Sequence, residues 1–331
     1  MKFRTVISIS FILCFLAAVA AAQSSASSDT DSGPAIGPAT ISAAPGVAPA
    51  EPGPPPSAMS LPRAIILGAV EGITEFLPVS STGHLLIAER LFGMGSTDAE
   101  KEASDAYAIV IQLGAILAVI VVSSRRIGRM FLGIFGKNRQ GLDLAGNILV
   151  SFVPAALMGL FLEGMLKKYL FDPWHVAIAW LVGGIFILAA MRKRGAEGGL
   201  PLEELGWKRA LVIGLAQCFA LWPGVSRSLV TMAGGMLLGL SVSAAVEYSF
   251  LLGLVTLGAA TLYEGIRRGH LIVQYFGWLN PIIGLLVAGV TAFLAVRWMI
   301  AYLRTRSPIV FGWYRIAIGA AVVVLVIGGK M

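Results

Sequence analysis

The sequence predicts an all-α polytopic membrane protein built of two inverted-topology repeats, each a re-entrant broken helical hairpin plus three transmembrane helices. Three observations lead there. The 331 residues are 57% hydrophobic and only 13% charged, with mean hydropathy +0.82, whereas a soluble chain carries roughly a quarter charged residues. Apolar runs long enough to cross a bilayer recur from Ala106 onward. Two further apolar segments are interrupted by Pro and hydroxyl residues, and they share one register. At an offset of 146 residues, Arg63-Ala64 falls on Arg209-Ala210, Gly68 on Gly214, Val79-Ser80 on Val225-Ser226, and Ser81 on Arg227.

In chain order, residues 1–22 have the pattern of a cleaved signal peptide. Lys2 and Arg4 precede an apolar core from Val6 to Val19, and Ala20-Ala21-Ala22 follows. Residues 23–60 are rich in Ser, Ala, Pro and Gly and lack Lys and Arg, the composition of a disordered leader. The membrane domain is expected over 61–331, with repeats at about 61–192 and 207–331. Each repeat opens with an interrupted segment, Leu61–Phe92 and Trp207–Leu240. Spans are expected near Ala106–Val122, Ala145–Leu166, Trp174–Met191, Val246–Tyr263, Leu279–Trp298 and Trp313–Gly328. If each interrupted segment enters and leaves on one side, each repeat crosses the bilayer three times. An odd number of crossings turns the second repeat upside down.

The net charge of +7 belongs to this topology rather than to nucleic acid, which is not expected as a partner. The predicted inner loops carry Arg125, Arg126, Arg129, Lys137, Arg139, Arg192, Lys193, Arg194, Lys208, Arg209, Arg297, Arg304 and Arg306; the outer side holds fewer basic residues. The first broken hairpin then opens outward and the second enters from the cytoplasm. Cys14 and Cys218 carry no information about compartment.

Chemistry concentrates at the breaks. The stretch Glu71-Gly-Ile-Thr-Glu-Phe-Leu-Pro-Val-Ser-Ser-Thr-Gly-His84 sets two carboxylates, three hydroxyls and an imidazole in an apolar segment, where ionisable groups are costly and mark function. Glu71 and Glu75 share one helix face, Pro78 breaks the helix, and Ser80, Ser81 and Thr82 suit the start of another. The second break reads Leu221-Trp-Pro-Gly-Val-Ser-Arg-Ser-Leu-Val-Thr231, where Arg227 needs an anionic partner. Two helix starts, at Ser80–Thr82 and at Ser226, would offer N–H groups to an anion such as phosphate, with Arg227 supplying a guanidinium fork. Glu71 and Glu75 then have two readings, ligands of a hard divalent cation or structural partners of Arg227. Ser81 is a candidate nucleophile with His84 as its acid/base partner. Gln112 and Glu247 lie in spans and either line the site or join helices. His175 and His270 read as loop-adjacent core residues, and Gly234-Gly235 as packing surface.

The first motif, together with Pro223-Gly-Val-Ser-Arg-Ser228, Val110-Ile-Gln-Leu-Gly114 and Ser249-Phe-Leu-Leu252, resembles the bacterial undecaprenyl-diphosphatases often called bacitracin-resistance proteins, from Leu61 to the C-terminus. The resemblance implies hydrolysis of undecaprenyl diphosphate to the monophosphate, recycling the lipid carrier of peptidoglycan and other envelope glycans, and with it bacitracin resistance. It implies a site on the outer face of the cytoplasmic membrane and a Mg²⁺ or Ca²⁺ cofactor. By position it makes Glu71 and Glu75 the metal-associated pair and Ser81, His84, Arg227 and Glu75 catalytic. Ser80, Thr82, Ser226, Ser228 and Thr231 become substrate-binding. Ser81 either attacks phosphorus or orients a water. Leu229 departs from the small residue usual in the family and is expected to narrow the pocket. Expected partners are a polyprenyl diphosphate, membrane lipids and, as an open alternative, a second copy of the chain in a homodimer. The rival function is a polyprenyl-phosphate transporter or flippase, since inverted repeats recur in transporters. A phosphatidic acid phosphatase motif would need a His soon after the Ser-Arg, and none occurs before His270.

Overall fold

The computed structural model describes residues 59–94, 98–191 and 198–329. The expected signal peptide and leader, to residue 58, lie outside these residues. Among the described residues the fold is all-α, and six helices are long and apolar enough to cross a membrane: Lys101–Val122, Arg139–Leu162, Pro173–Ala190, Val242–Arg267, Leu279–Leu303 and Ile309–Ile327. The chain is a multi-pass membrane protein. Its bilayer-facing surface is apolar, with Phe161, Val290 and Val324 exposed along these spans, as a lipid solvent permits.

The helices in order are α1 (Leu61–Thr74), α2 (Ser81–Leu91), α3 (Asp98–Val122), α4 (Ser124–Ile134), α5 (Arg139–Leu170), α6 (Pro173–Ala190), α7 (Trp207–Gln217), α8 (Arg227–Leu237), α9 (Val242–Phe276), α10 (Leu279–Leu303) and α11 (Ile309–Ile327). Pro62 sits in the first turn of α1, where its missing N–H costs nothing. Between α1 and α2 the chain turns through Pro78; between α7 and α8 a 3-10 turn, Cys218–Leu221, leads to Pro223 and Gly224. Helices α2 and α8 begin 146 residues apart and end 146 residues apart, the offset expected from sequence.

Packing follows a crosswise pattern. Helix α1 packs against α10, and α7 against α5; α3 lies along both α9 and α10, and α6 along α11. Small residues let these backbones approach. A Cβ on Gly68 would strike the Gly284 carbonyl, and one on Gly214 would strike that of Ser151. The residues at the shared offset therefore make matching contacts with different helices.

Arg125, Arg126 and Arg129, expected in a loop, lie on α4, an amphipathic helix beyond the span. Glu247 joins helices: its carboxylate accepts from Arg126 Nε at 2.7 Å, and Arg126 also pairs with Glu203. Leu229 is buried in the core rather than lining a pocket. His175 pairs with Asp172 at the start of α6, whose carboxylate also caps that helix.

Candidate active site at two broken helices

Ser80 and Ser226 are the non-glycine residues with positive φ among those described, at 72° and 77°. Each is the N-cap of the helix that follows, and each hydroxyl accepts from the N–H three residues on, Gly83 N at 3.4 Å and Leu229 N at 3.2 Å. A non-glycine residue in this region costs about 1–3 kcal/mol and persists only where its surroundings over-determine it. Here they do. Trp180 Nε1 donates to Val79 O at 2.8 Å. Arg315, fully buried within α11, donates to Pro78 O at 3.2 Å and Gly224 O at 2.8 Å, and to Ala179 O at 2.9 Å. Pro78 and Gly224 occupy matching places in the two breaks, so one arginine holds both. Gly224 itself has φ +92°, which a glycine adopts without strain.

The breaks meet. Arg227, first residue of α8, donates from Nη2 to Glu75 Oε1 at 2.9 Å and from Nη1 to Ser249 O at 3.0 Å. Its guanidinium lies over the Phe76 ring, 5.2 Å from the centroid, and against the backbone of Gly253, where any Cβ would collide with it. The other Glu75 oxygen accepts from the Ser81 hydroxyl. Ser80, Ser81, Thr82, Ser226, Arg227 and Glu75 line one cavity of about 170 Å³. The N-caps and first residues of two helices thus line a single space, an arrangement suited to an anion. A neighbouring cavity of about 200 Å³ shares Ser81, Thr82 and Gln112 and adds Glu71, Glu89 and apolar residues such as Leu85 and Ile109.

The remaining expected residues divide. Glu71 is buried, with Oε1 lacking any hydrogen-bond partner. An orphaned carboxylate oxygen one helical turn from Glu75 fits a hard cation, which takes one or two carboxylates and completes its shell with substrate and water oxygens. Among the described residues no group of three or more His, Cys, Asp or Glu could hold an ion by itself. Ser228 and Thr231 do not line either cavity. The Ser228 hydroxyl donates to Leu77 O at 2.7 Å, while that of Thr231 donates to Arg227 O at 2.8 Å and contacts Ser249 Oγ at 2.7 Å. These hydrogen bonds brace the break. His84 is not hydrogen-bonded to Ser81; its Nδ1 contacts Ser80 O and its Nε2 the Tyr314 hydroxyl, each at 2.7 Å.

Sequence reasoning missed Trp180, Gly253, Tyr314 and Arg315. Arg315 had a usable signal, a cation within an apolar span; the others acquire their roles only through long-range contacts.

The family model for the bacitracin resistance protein BacA matches residues 64–321. The chain belongs to this family. An undecaprenyl-diphosphatase of Sorangium cellulosum is 43% identical over 263 residues, covering 78% of this chain and 84% of that protein. Undecaprenyl-diphosphatase 1 of Chromobacterium violaceum is 45% identical over 261 residues, 78% of this chain and 94% of its own. Undecaprenyl-diphosphatase 2 of Rhodospirillum rubrum is 45% identical over 260 residues, 78% and 93% respectively. The matched BacA region contains both breaks and Arg315.

Proposed function

We propose that the chain hydrolyses undecaprenyl diphosphate to undecaprenyl phosphate and inorganic phosphate, with the diphosphate held between the starts of α2 and α8. The observation that carries this reading is the Glu75–Arg227 contact, which joins the end of α1 in the first break to the start of α8 in the second, beside one cavity. The names of the relatives supply the substrate. Arg227 and the first-turn N–H groups bind phosphate oxygens and offset the charge that develops as the anhydride bond breaks. Ser81 already donates to Glu75, so Glu75 accepts the proton when oxygen attacks phosphorus. Either Ser81 Oγ attacks and water later releases the phosphoseryl group, or Ser81 orients the attacking water. In both cases the P–O–P bond breaks and undecaprenyl phosphate leaves. Glu71 and Glu75 would hold a Mg²⁺ or Ca²⁺ ion, whose charge neutralises the diphosphate when bound.

The crosswise packing and the matched breaks support two inverted repeats with re-entrant hairpins. The basic bias of the predicted inner loops supports a site opening on the outer face of the cytoplasmic membrane.

The test is phosphate release by purified protein in detergent from undecaprenyl diphosphate with Mg²⁺ or Ca²⁺. Turnover is expected, with loss on chelation and in Glu71→Gln. No release by the native chain with either cation would sink the reading.

A further inference from the structure

A further cavity, roomier than the two beside Ser81, lies elsewhere. It has a volume of about 480 Å³ and is lined by Arg125, Arg126 and Arg129 of α4, Arg304 at the end of α10, and Ser243, Glu247 and Phe250 of α9. Val122 and Ser123, at the end of α3, also line it. The cavity beside Glu71 is lined by Lys101, Ser104 and Asp105, at the beginning of the same span. Lys101–Val122 is a 22-residue apolar helix, and at about 1.5 Å per residue it crosses a hydrocarbon core. The two cavities therefore sit at opposite ends of one membrane-spanning helix.

The charge here is unbalanced. Glu247 is the carboxylate that lines the cavity, and Arg126 consumes it together with Glu203. Among the described residues Arg125, Arg129 and Arg304 make no direct salt bridge, although Arg129 lies near enough to Glu203 to help hold its carboxyl down, and all three are exposed. Positive-inside placement requires basic residues near the ends of spans. It does not require four guanidiniums around one concavity, with no lysine among them. Arginine is the side chain whose planar fork matches phosphate oxygens. Below the basic rim the lining turns apolar, with Val122, Val246, Phe250, Ile300 and Leu303. Such a surface suits an amphiphile with an anionic head.

We propose that this cavity is a second phosphate-binding site, on the membrane face opposite the diphosphate site, which takes the phosphate group of a lipid. Arg125, Arg129 and Arg304 hold the phosphate oxygens, Arg126 is anchored by its two carboxylates, and the apolar floor receives the first carbons of the chain. Phe250 links this cavity to the candidate active site. Its ring meets that of Phe76 edge-on with centroids 5.6 Å apart, and Phe76 carries the Arg227 guanidinium. The first carbons of the bound lipid would thus rest against the aromatic pair beneath the catalytic arginine.

The experiment measures binding by native mass spectrometry of the full-length chain with three separate probes: phosphatidylglycerol, farnesyl phosphate and inorganic phosphate. The comparison is with the triple variant Arg125→Gln/Arg129→Gln/Arg304→Gln and its Arg→Lys counterpart. Affinity for at least one probe should fall tenfold or more in the Gln variant and recover only in part in the Lys variant. Phosphate release from undecaprenyl diphosphate should stay within twofold, so the result stands apart from the fate of the hydrolase reading. Loss confined to phosphatidylglycerol identifies a bilayer phospholipid as the occupant, loss for farnesyl phosphate identifies a prenyl monophosphate, and loss for inorganic phosphate shows that the head group suffices. Native affinity for all three probes in the Gln variant overturns the proposal, as does full recovery with Lys, which would leave only a topological charge. If the triple variant fails to insert, Arg304→Gln alone should weaken binding about threefold, and unchanged affinity overturns the proposal equally.

Discussion

Arg227 Nη2 lies 2.9 Å from Glu75 Oε1, a contact between residues 152 positions apart that closes two broken helices onto one cavity. Both side chains are nearly inaccessible. Removing one partner of a buried pair leaves the other uncompensated at about 3–5 kcal/mol. Arg227→Lys keeps the charge and loses the two-pronged reach to Glu75 and Ser249. Phosphate release should fall by roughly 10²–10³-fold, the scale for loss of one transition-state donor, while thermal unfolding shifts little. Near-native turnover would argue against contact between the guanidinium and the substrate.

Gly253 is a second handle on the same arginine. Its missing side chain leaves room for the Arg227 guanidinium. Gly253→Ala, conservative in an apolar helix, should displace that group and lower kcat at least tenfold. Displacing one partner of the buried pair outweighs the helix propensity gained by the exchange, so the melting temperature should fall as well. A native kcat would show that Arg227 can move without consequence.

Arg315 ties Pro78 O and Gly224 O together and also holds Ala179 O. Arg315→Met should leave these carbonyls without their donor, at about 1–3 kcal/mol for each buried group left unsatisfied. The expected result is a clear drop in melting temperature and in phosphate release, with Arg315→Lys recovering part of both. Unchanged stability in Arg315→Met would mean that the breaks hold without it.

Outside the spans, the Arg126 hydrogen bond holds the Glu203 carboxyl below its ordinary value. A carboxylate with a depressed folded-state value stabilises the fold above its unfolded value, near 4.5, and loses that contribution as pH falls through the folded one. Native protein should therefore lose more stability between neutral pH and the acid side of 4.5 than Glu203→Gln does. Equal pH profiles in a thermal unfolding series would remove the pair from the account.

Much of the fold and part of the site were legible in the sequence. The spans followed from apolar run length, and the breaks from Pro78, Pro223 and Gly224. The matched register of Ser80 with Ser226 foretold that the breaks would be built alike, because a helix start imposes local geometry and local geometry follows from adjacent residues. The hydroxyls were harder to assign. Ser228 and Thr231 look like ligand groups in the chain, yet their partners are Leu77, Arg227 and Ser249, which only the packing of α8 against its neighbours supplies.

By itself, the sequence determined an all-α multi-pass protein, two interruptions in one register and a short roster of polar residues at those interruptions. These depend on hydropathy, helix breakers and capping, which act over a few residues. Tertiary structure decided that Glu75 faces Arg227 and Ser81, that His84 faces Tyr314, and that Arg315 clasps both turns. Such choices depend on which helix lies alongside which. In an apolar solvent every buried polar group must find its partner within the protein, wherever along the chain that partner happens to be.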